Sequence, residues 1–162
     1  MRVERFGHDG EPTGTGTIRG VPDVVSPMEG FAALRSAAAS GALDRIAERH
    51  GVRVLGVFGS AFGHWHDPEA PAPRDLDVSV SFVGQPRLVE LLDDLVQLTQ
   101  CDTIDLMPLD DADPVARAEG YVGLGLYERD AGDWATRQMA ALAERRDTEP
   151  LRRLDLEALT RP

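Results

Sequence analysis

A chain of 162 residues, 42% hydrophobic and 28% charged, has room for one domain with a real core, and a net charge of −11 sets its averaged surface against polyanions such as DNA or RNA. Apolar runs stop well short of the roughly 18 residues of a membrane span, Met1 opens onto charged and polar residues rather than a secretory core, and the single cysteine, Cys101, allows neither an internal disulfide nor a cysteine zinc cluster. The expectation is therefore a cytoplasmic protein with no membrane and no direct nucleic-acid partner; its acidity suits a basic protein partner, and solubility alone explains it equally well.

Residues 1–25 carry glycine, proline and threonine without a period and are expected to form a flexible N-terminal arm, ahead of one domain over 26–162. "GTGTIRG" in this arm follows no strand and precedes no helix, so it is not read as a phosphate loop. Order is expected from "SPMEGFAALRSAAASG", where Ser26 caps, Pro27 suits the first helical position and Glu29 completes a capping box. "ALDRIAERHG" predicts a second helix stopped at His50 and Gly51, with His50 as a cation at its C-terminus.

The period then changes. "VRVLGVFG" (52–59) reads as a strand, and "DLDVSVSFV" (75–83) alternates, with Asp75, Asp77, Ser79 and Ser81 on one face and Leu76, Val78, Val80 and Phe82 on the other. "RLVELLDDLVQL" returns to helical spacing, and "DTIDLMPL" (102–109) predicts a third strand. The stretches "DPVARAEGYVGLGLYERD" and "DWATRQMAALAERRDTEPLRRLDLEALT" read as helices broken at the glycines and at Pro150. This order predicts an α/β or α+β domain with a small sheet.

Asp75 and Asp77 are two apart, so on a strand their carboxylates share a face, with Cβ atoms roughly 6–7 Å apart, near enough to share cations. Asp105 lies between Ile104 and Leu106, where an unpaired carboxylate is expensive to bury. Three aspartates on neighbouring strands suit two magnesium ions, one on a nucleoside triphosphate and one activating a hydroxyl. Gly59 and Ser60, a turn after a strand opening a short helix, offer N–H groups and a hydroxyl to phosphate oxygens. Each aspartate alone has a plainer role: Asp75 as a loop cap, Asp77 with Ser79 and Ser81 on the wet face of an edge strand, Asp105 in a salt bridge. The set taken in order favours the site.

On these residues, "FGSAFG…RDLDVSV…TIDLMPL", the chain resembles the minimal nucleotidyltransferase (MNT) branch of the DNA polymerase beta superfamily: a Gly-Ser turn, an Asp-x-Asp strand and a third Asp on a later strand. The resemblance runs from about Leu43 to Leu154, since "GLGLYERD" and "DTEPLRRL" are similar to the tail of small MNT antitoxins. It implies a polymerase-beta-like fold, a small mixed sheet flanked by helices. It also implies that Asp75 and Asp77 bind two Mg²⁺ ions with Asp105 nearby to orient or deprotonate the acceptor, and that Gly59 and Ser60 hold the triphosphate of ATP. The implied partner is a HEPN-domain ribonuclease toxin, which the antitoxin modifies by moving AMP from ATP to a tyrosine.

The sequence departs from that pattern in two ways, in the residues that follow Gly-Ser and in an interval from Ser60 to Asp75 that is a few residues longer than the family's. The family carries arginines directly after Gly-Ser and a glycine four places past the serine; here Ala61, Phe62 and Gly63 follow and His64 takes the fourth place. Fourteen residues, with Pro68, Pro71 and Pro73, separate Ser60 from Asp75, and Arg74 is the nearest cation for the triphosphate, or else a surface ion pair. "HWHD" (64–67) is an incomplete zinc set in a proline-rich loop. Trp65 suits a place over the nucleotide, the toxin or the core; Tyr121 and Tyr127 suit burial, or self-modification. Three functions remain open: the adenylyltransferase antitoxin, an inactive MNT-fold module that blocks the toxin by occlusion, and a small-molecule adenylyltransferase.

Overall fold

A computed structural model describes residues 24–159, with side chains as far as Arg153. The expected arm and its "GTGTIRG" lie outside the described residues, except that Val24 is exposed and Val25 packs on the core. Helix α1 (Pro27–Ser40) starts at the expected capping box: the Glu29 amide donates to Ser26 Oγ at 3.3 Å and the Ser26 amide donates back to Glu29 Oε2 at 2.8 Å. Gly41, at φ 73°, ends α1 and starts α2 (Ala42–Arg49), which stops at His50 and Gly51 as expected.

Strand β1 (Val52–Val57) runs into α3 (Gly59–His66); β2 (Leu76–Phe82), α4 (Leu88–Thr99), β3 (Ile104–Pro108), α5 (Pro114–Tyr121), β4 (Leu124–Glu128) and α6 (Asp133–Leu159) follow. The sheet is mixed, in the order β3-β2-β1-β4: β1 lies antiparallel to both β2 and β4, and β2 lies parallel to β3. The α/β class is thus borne out. Among the described residues no helix is long and apolar enough to cross a membrane.

Strand β2 divides the molecule. Leu76, Val78, Val80 and Phe82 face one layer, α1 to α4, where Phe31, Leu34, Leu43, Leu91 and Leu95 are buried with them; each such side chain contributes about 1.5–3 kcal/mol. A bulge after Val52 lets β1 serve both faces, so that Val52, Leu55 and Val57 join this core while Val54 joins a second, smaller one with Leu109, Ala118, Tyr121 and Ala141. Trp134, at the head of α6, lies over the cross-strand pair Gly56 and Gly125, where any Cβ would strike its ring.

Two expectations are corrected, and one plainer alternative is excluded. "GLGLYERD" forms β4 rather than helix: it pairs with β1, and Gly125 makes room for Trp134. The helix does not break at Pro150: α6 runs through it, and Arg152 donates to the carbonyl oxygen of Arg145 at 2.9 Å in that stretch. Ser79 and Ser81 do not line a wet edge, because β2 is an inner strand and both are fully buried beneath α5 and α6, Ser79 Oγ donating to the Gly120 carbonyl at 2.7 Å. His50 stands at the C-terminal end of α2, where it was expected, and is buried, with Nε2 2.7 Å from Asp94 Oδ2.

Candidate functional site

Because β1 and β2 are antiparallel, the end of β1 lies beside the start of β2. The Phe58 amide donates to the Asp77 carbonyl at 3.1 Å, and the chain then turns at Gly59, φ 66°, into α3. Only glycine fits here. The backbone is left-handed, and a Cβ would land on the carboxylate of Asp77. The Gly-Ser turn and the Asp-x-Asp strand, seventeen residues apart from Ser60 to Asp77, are therefore packed directly on one another.

The parallel register of β2 and β3 sets Asp77 opposite Asp105. Asp105 lies between Ile104 and Leu106, which pack on the first core, so its side chain belongs to the face it shares with Asp77 and with Met107 of the second core. Helix α5 covers that face only from Ser79 onward: Gly120 sits against Ser79, Met107 and Leu109, and Gly123 presses on the Val57 carbonyl at the end of β1. Asp77 and Asp105 are left at the open end. Asp75, just before β2, is exposed, as is Arg74, which makes no ion pair among the described residues.

One element of the sequence reading changes. Asp105 is exposed, so the expense of burying a carboxylate does not apply to it. What recommends it is register. Burial raises the Asp77 carboxyl above the ordinary carboxylate range, the negative charges of Asp75 and Asp105 raise it further, and the Ser60 amide pulls the other way. This mutual repulsion is the electrostatic setting a divalent cation would relieve, and an all-carboxylate donor set is the chemistry of a hard ion such as Mg²⁺. Among the described residues, however, no three acidic, histidine or cysteine side chains are gathered into a closed ligand set. Asp75 and Asp105 both lie near enough to Asp77 to act on its carboxyl.

The other singled-out residues have structural places. His64 and His66 lie in α3, not in a loop; His64 Nδ1 sits 2.8 Å from the Ala70 carbonyl, and His66 packs edge-on against Phe62 at 4.8 Å, so they form no zinc pair. Trp65 covers Phe31, ring centroids 5.9 Å apart, with the Arg35 guanidinium 4.8 Å above it. Tyr121 is buried edge-on against Trp134, and Tyr127 pairs with Leu55. The sequence reading missed Gly120, Gly123 and Ser79, which fix where the site ends; their signal was the "GYVG" spacing, small residues where a helix must press on a sheet.

No protein-family model matches the chain, and no curated protein matches it. Solved structures do share its fold. A chain of a toxin-antitoxin complex determined with AMP-PNP superposes with a TM-score of 0.56 at 12% identity, over 75% of this chain and 98% of that one. A complex of a tri-AMPylated Shewanella oneidensis HEPN toxin with MNT antitoxin gives 0.56 at 12% identity, over 78% and 99%. A variant MntA toxin-antitoxin complex in which two aspartates two positions apart are replaced by glutamate gives 0.56 at 12%, over 75% and 98%. The fold is that of the minimal nucleotidyltransferases.

Proposed function

We propose that the chain is a Mg²⁺-dependent nucleotidyltransferase that moves AMP from ATP to a tyrosine hydroxyl of a HEPN ribonuclease toxin, and so acts as the antitoxin of a pair. The observation that carries this reading is the packing of Asp77 against the Gly59–Ser60 turn with Asp105 in register beside it. Support comes from the shared fold, found in complexes that include AMP-PNP in one case and an AMPylated toxin in another.

In this reading the amide of Gly59, at the start of α3, faces phosphate oxygens, the Ser60 hydroxyl and Arg74 add a donor and a positive charge, and the Ser60 amide holds the Asp77 carboxylate beside them. Asp75 and Asp77 hold Mg²⁺, with Asp105 beside them; the ions, when bound, neutralise triphosphate charge and favour ionisation of the acceptor. Asp105 orients the acceptor hydroxyl and takes its proton as the oxygen bonds to the α-phosphorus of ATP and the bond to pyrophosphate breaks. Most of the acceleration is positioning, because the fold holds the turn and the two strands together before any ligand arrives.

A second reading has its own observation. Ala61, Phe62 and Gly63 put no cation in the first turns of α3, which suits a module that blocks the toxin by occlusion without transferring anything. Intact mass spectrometry separates the two. After incubation with the protein encoded by the adjacent gene, ATP and Mg²⁺, transfer adds AMP to the partner with the wild type and adds none with Asp75→Asn plus Asp77→Asn. Inhibition of the partner without a mass change, equal in both proteins, supports occlusion instead.

A further inference from the structure

The sheet has two open sides. At one, the outer edge of β4 borders a 420 Å³ groove that runs to Trp134 and Ala135, and the nearby Glu128 carboxylate is taken up by the amides of Gly132 and Trp134. At the other, the outer edge of β3 borders a 210 Å³ notch lined by Leu88, Val89 and Leu92 of α4 and by Ile104, Asp105 and Leu106 of the strand itself. Only the second is lined by a residue of the candidate site.

We propose that this edge of β3 docks the acceptor protein: an extended segment of the partner adds as a further strand beside Ile104–Leu106, bringing a hydroxyl side chain to Asp105 on one face of the sheet and an adjacent apolar side chain to the Leu88–Val89–Leu92 notch on the other. The inference rests on the transfer reading above and deepens it, since it names what holds the acceptor.

The backbone is set for such an addition. Thr103 and Leu109 bond inward to β2, through Leu76 N to Thr103 O at 2.9 Å and Leu109 N to Val80 O at 2.8 Å. By the two-residue period, Ile104, Leu106 and Pro108 turn their backbone groups outward. No strand pairs with them among the described residues. Pro108 has no N–H to offer, so it ends the usable edge after Leu106, whereas charges or bulges that would guard the earlier part are absent from Ile104 and Leu106.

The side chains alternate to match. Ile104 and Leu106 pack toward α4 and the notch, and Asp105 belongs to the face of Asp77. A strand laid along this edge repeats the same alternation, and residues directly opposite lie about 4.5–5.5 Å apart at Cβ. The residue opposite Asp105 therefore offers its hydroxyl to that carboxylate, and its immediate neighbours meet the notch. Val89, 71% exposed, forms the rim of that notch on an otherwise acidic surface. Main-chain pairing supplies affinity and the notch supplies selection, the division of labour of strand-addition recognition. The hydroxyl oxygen then bonds to the α-phosphorus, pyrophosphate leaves, and the proton passes to Asp105. The acceptor segment should carry an apolar residue immediately before or after the modified one.

Val89→Asp tests this in the full chain, since an exposed site tolerates the change, with Val89→Leu as the conservative partner. The readouts are the KM for the adjacent-gene protein, followed as AMP transfer by intact mass, and ATP binding with Mg²⁺ by calorimetry. The expected result is a KM raised about tenfold or more by Val89→Asp, an unchanged ATP affinity, and near wild-type values for Val89→Leu. Hydrogen exchange on the wild-type complex should show the Ile104 and Leu106 amides protected by the partner. A Val89→Asp enzyme with unchanged KM, or no protection of those amides in a complex that forms, overturns the docking strand and leaves the transfer reading standing. A wild-type protein that binds no ATP and transfers nothing overturns the transfer reading, and the docking strand with it.

Discussion

On one face of the sheet β2 offers Leu76, Val78, Val80 and Phe82 to α1, α2 and α4; on the other, the same strand offers Asp77, Ser79 and Ser81 to the space under α5 and α6. The first face is filled by aliphatic and aromatic side chains that interlock with those helices. The second is paved with glycine and serine, which bring α5 and α6 close but give them little to bury. The difference is one of purpose. A thick apolar layer holds the strands rigid, and the thin layer can then leave its open end to carboxylates that repel one another.

The largest stability effect should come from the thick layer. Leu95→Ala removes a fully buried side chain and should cost about 2–5 kcal/mol in denaturant unfolding, while AMP transfer per folded molecule stays near wild type. A loss of transfer without a loss of stability would erase the distinction between the faces. Ser79→Ala comes next: it strands the buried Gly120 carbonyl that the hydroxyl now serves, at about 1–3 kcal/mol.

The smallest effect has the opposite sign. The Asp77 carboxyl is raised in the folded protein, so its contribution to stability is present below the unfolded value and lost as pH rises through the folded one. At neutral pH the ionised group is a burden. Without divalent cation, Asp77→Asn should melt about 1–3 °C above wild type at pH 7, a small shift because the group is partly solvated. The gap should close as pH falls toward about 4. Added Mg²⁺ should raise the wild-type Tm and leave the variant unmoved. A variant that melts lower at pH 7 would assign Asp77 to the scaffold.

Much of the first face was legible in the sequence, because its signals are local. Ser26 and Glu29 announce a helix start, Gly51 announces a stop, and strict alternation over 75–83 announces β2. The second face was not legible, because its residues carry meaning only against a partner distant in sequence. Gly125 reads as a helix breaker until Trp134 lies on it, and Ser79 reads as wet until Gly120 covers it. Pro150 misled for a related reason: its position within α6 is settled by the surrounding helix rather than by the missing N–H. For the candidate site, "GS" and "DLD" were visible as motifs, but the approach of Gly59 to the Asp77 carboxylate comes from the pairing of β1 with β2. Asp105 was chosen for burial it does not have, and its register with Asp77 is a property of the sheet alone.

The two tryptophans sit one on each side of this division: Trp134 on the glycine floor of the thin layer, Trp65 on α3, the helix whose first turn abuts Asp77. Each layer thus has its own natural optical reporter. Emission from a Trp65→Phe protein follows the loosening of α6 from the sheet, and emission from a Trp134→Phe protein follows events at the Gly-Ser turn, so the order in which the layers respond to heat or nucleotide can be observed without any added dye.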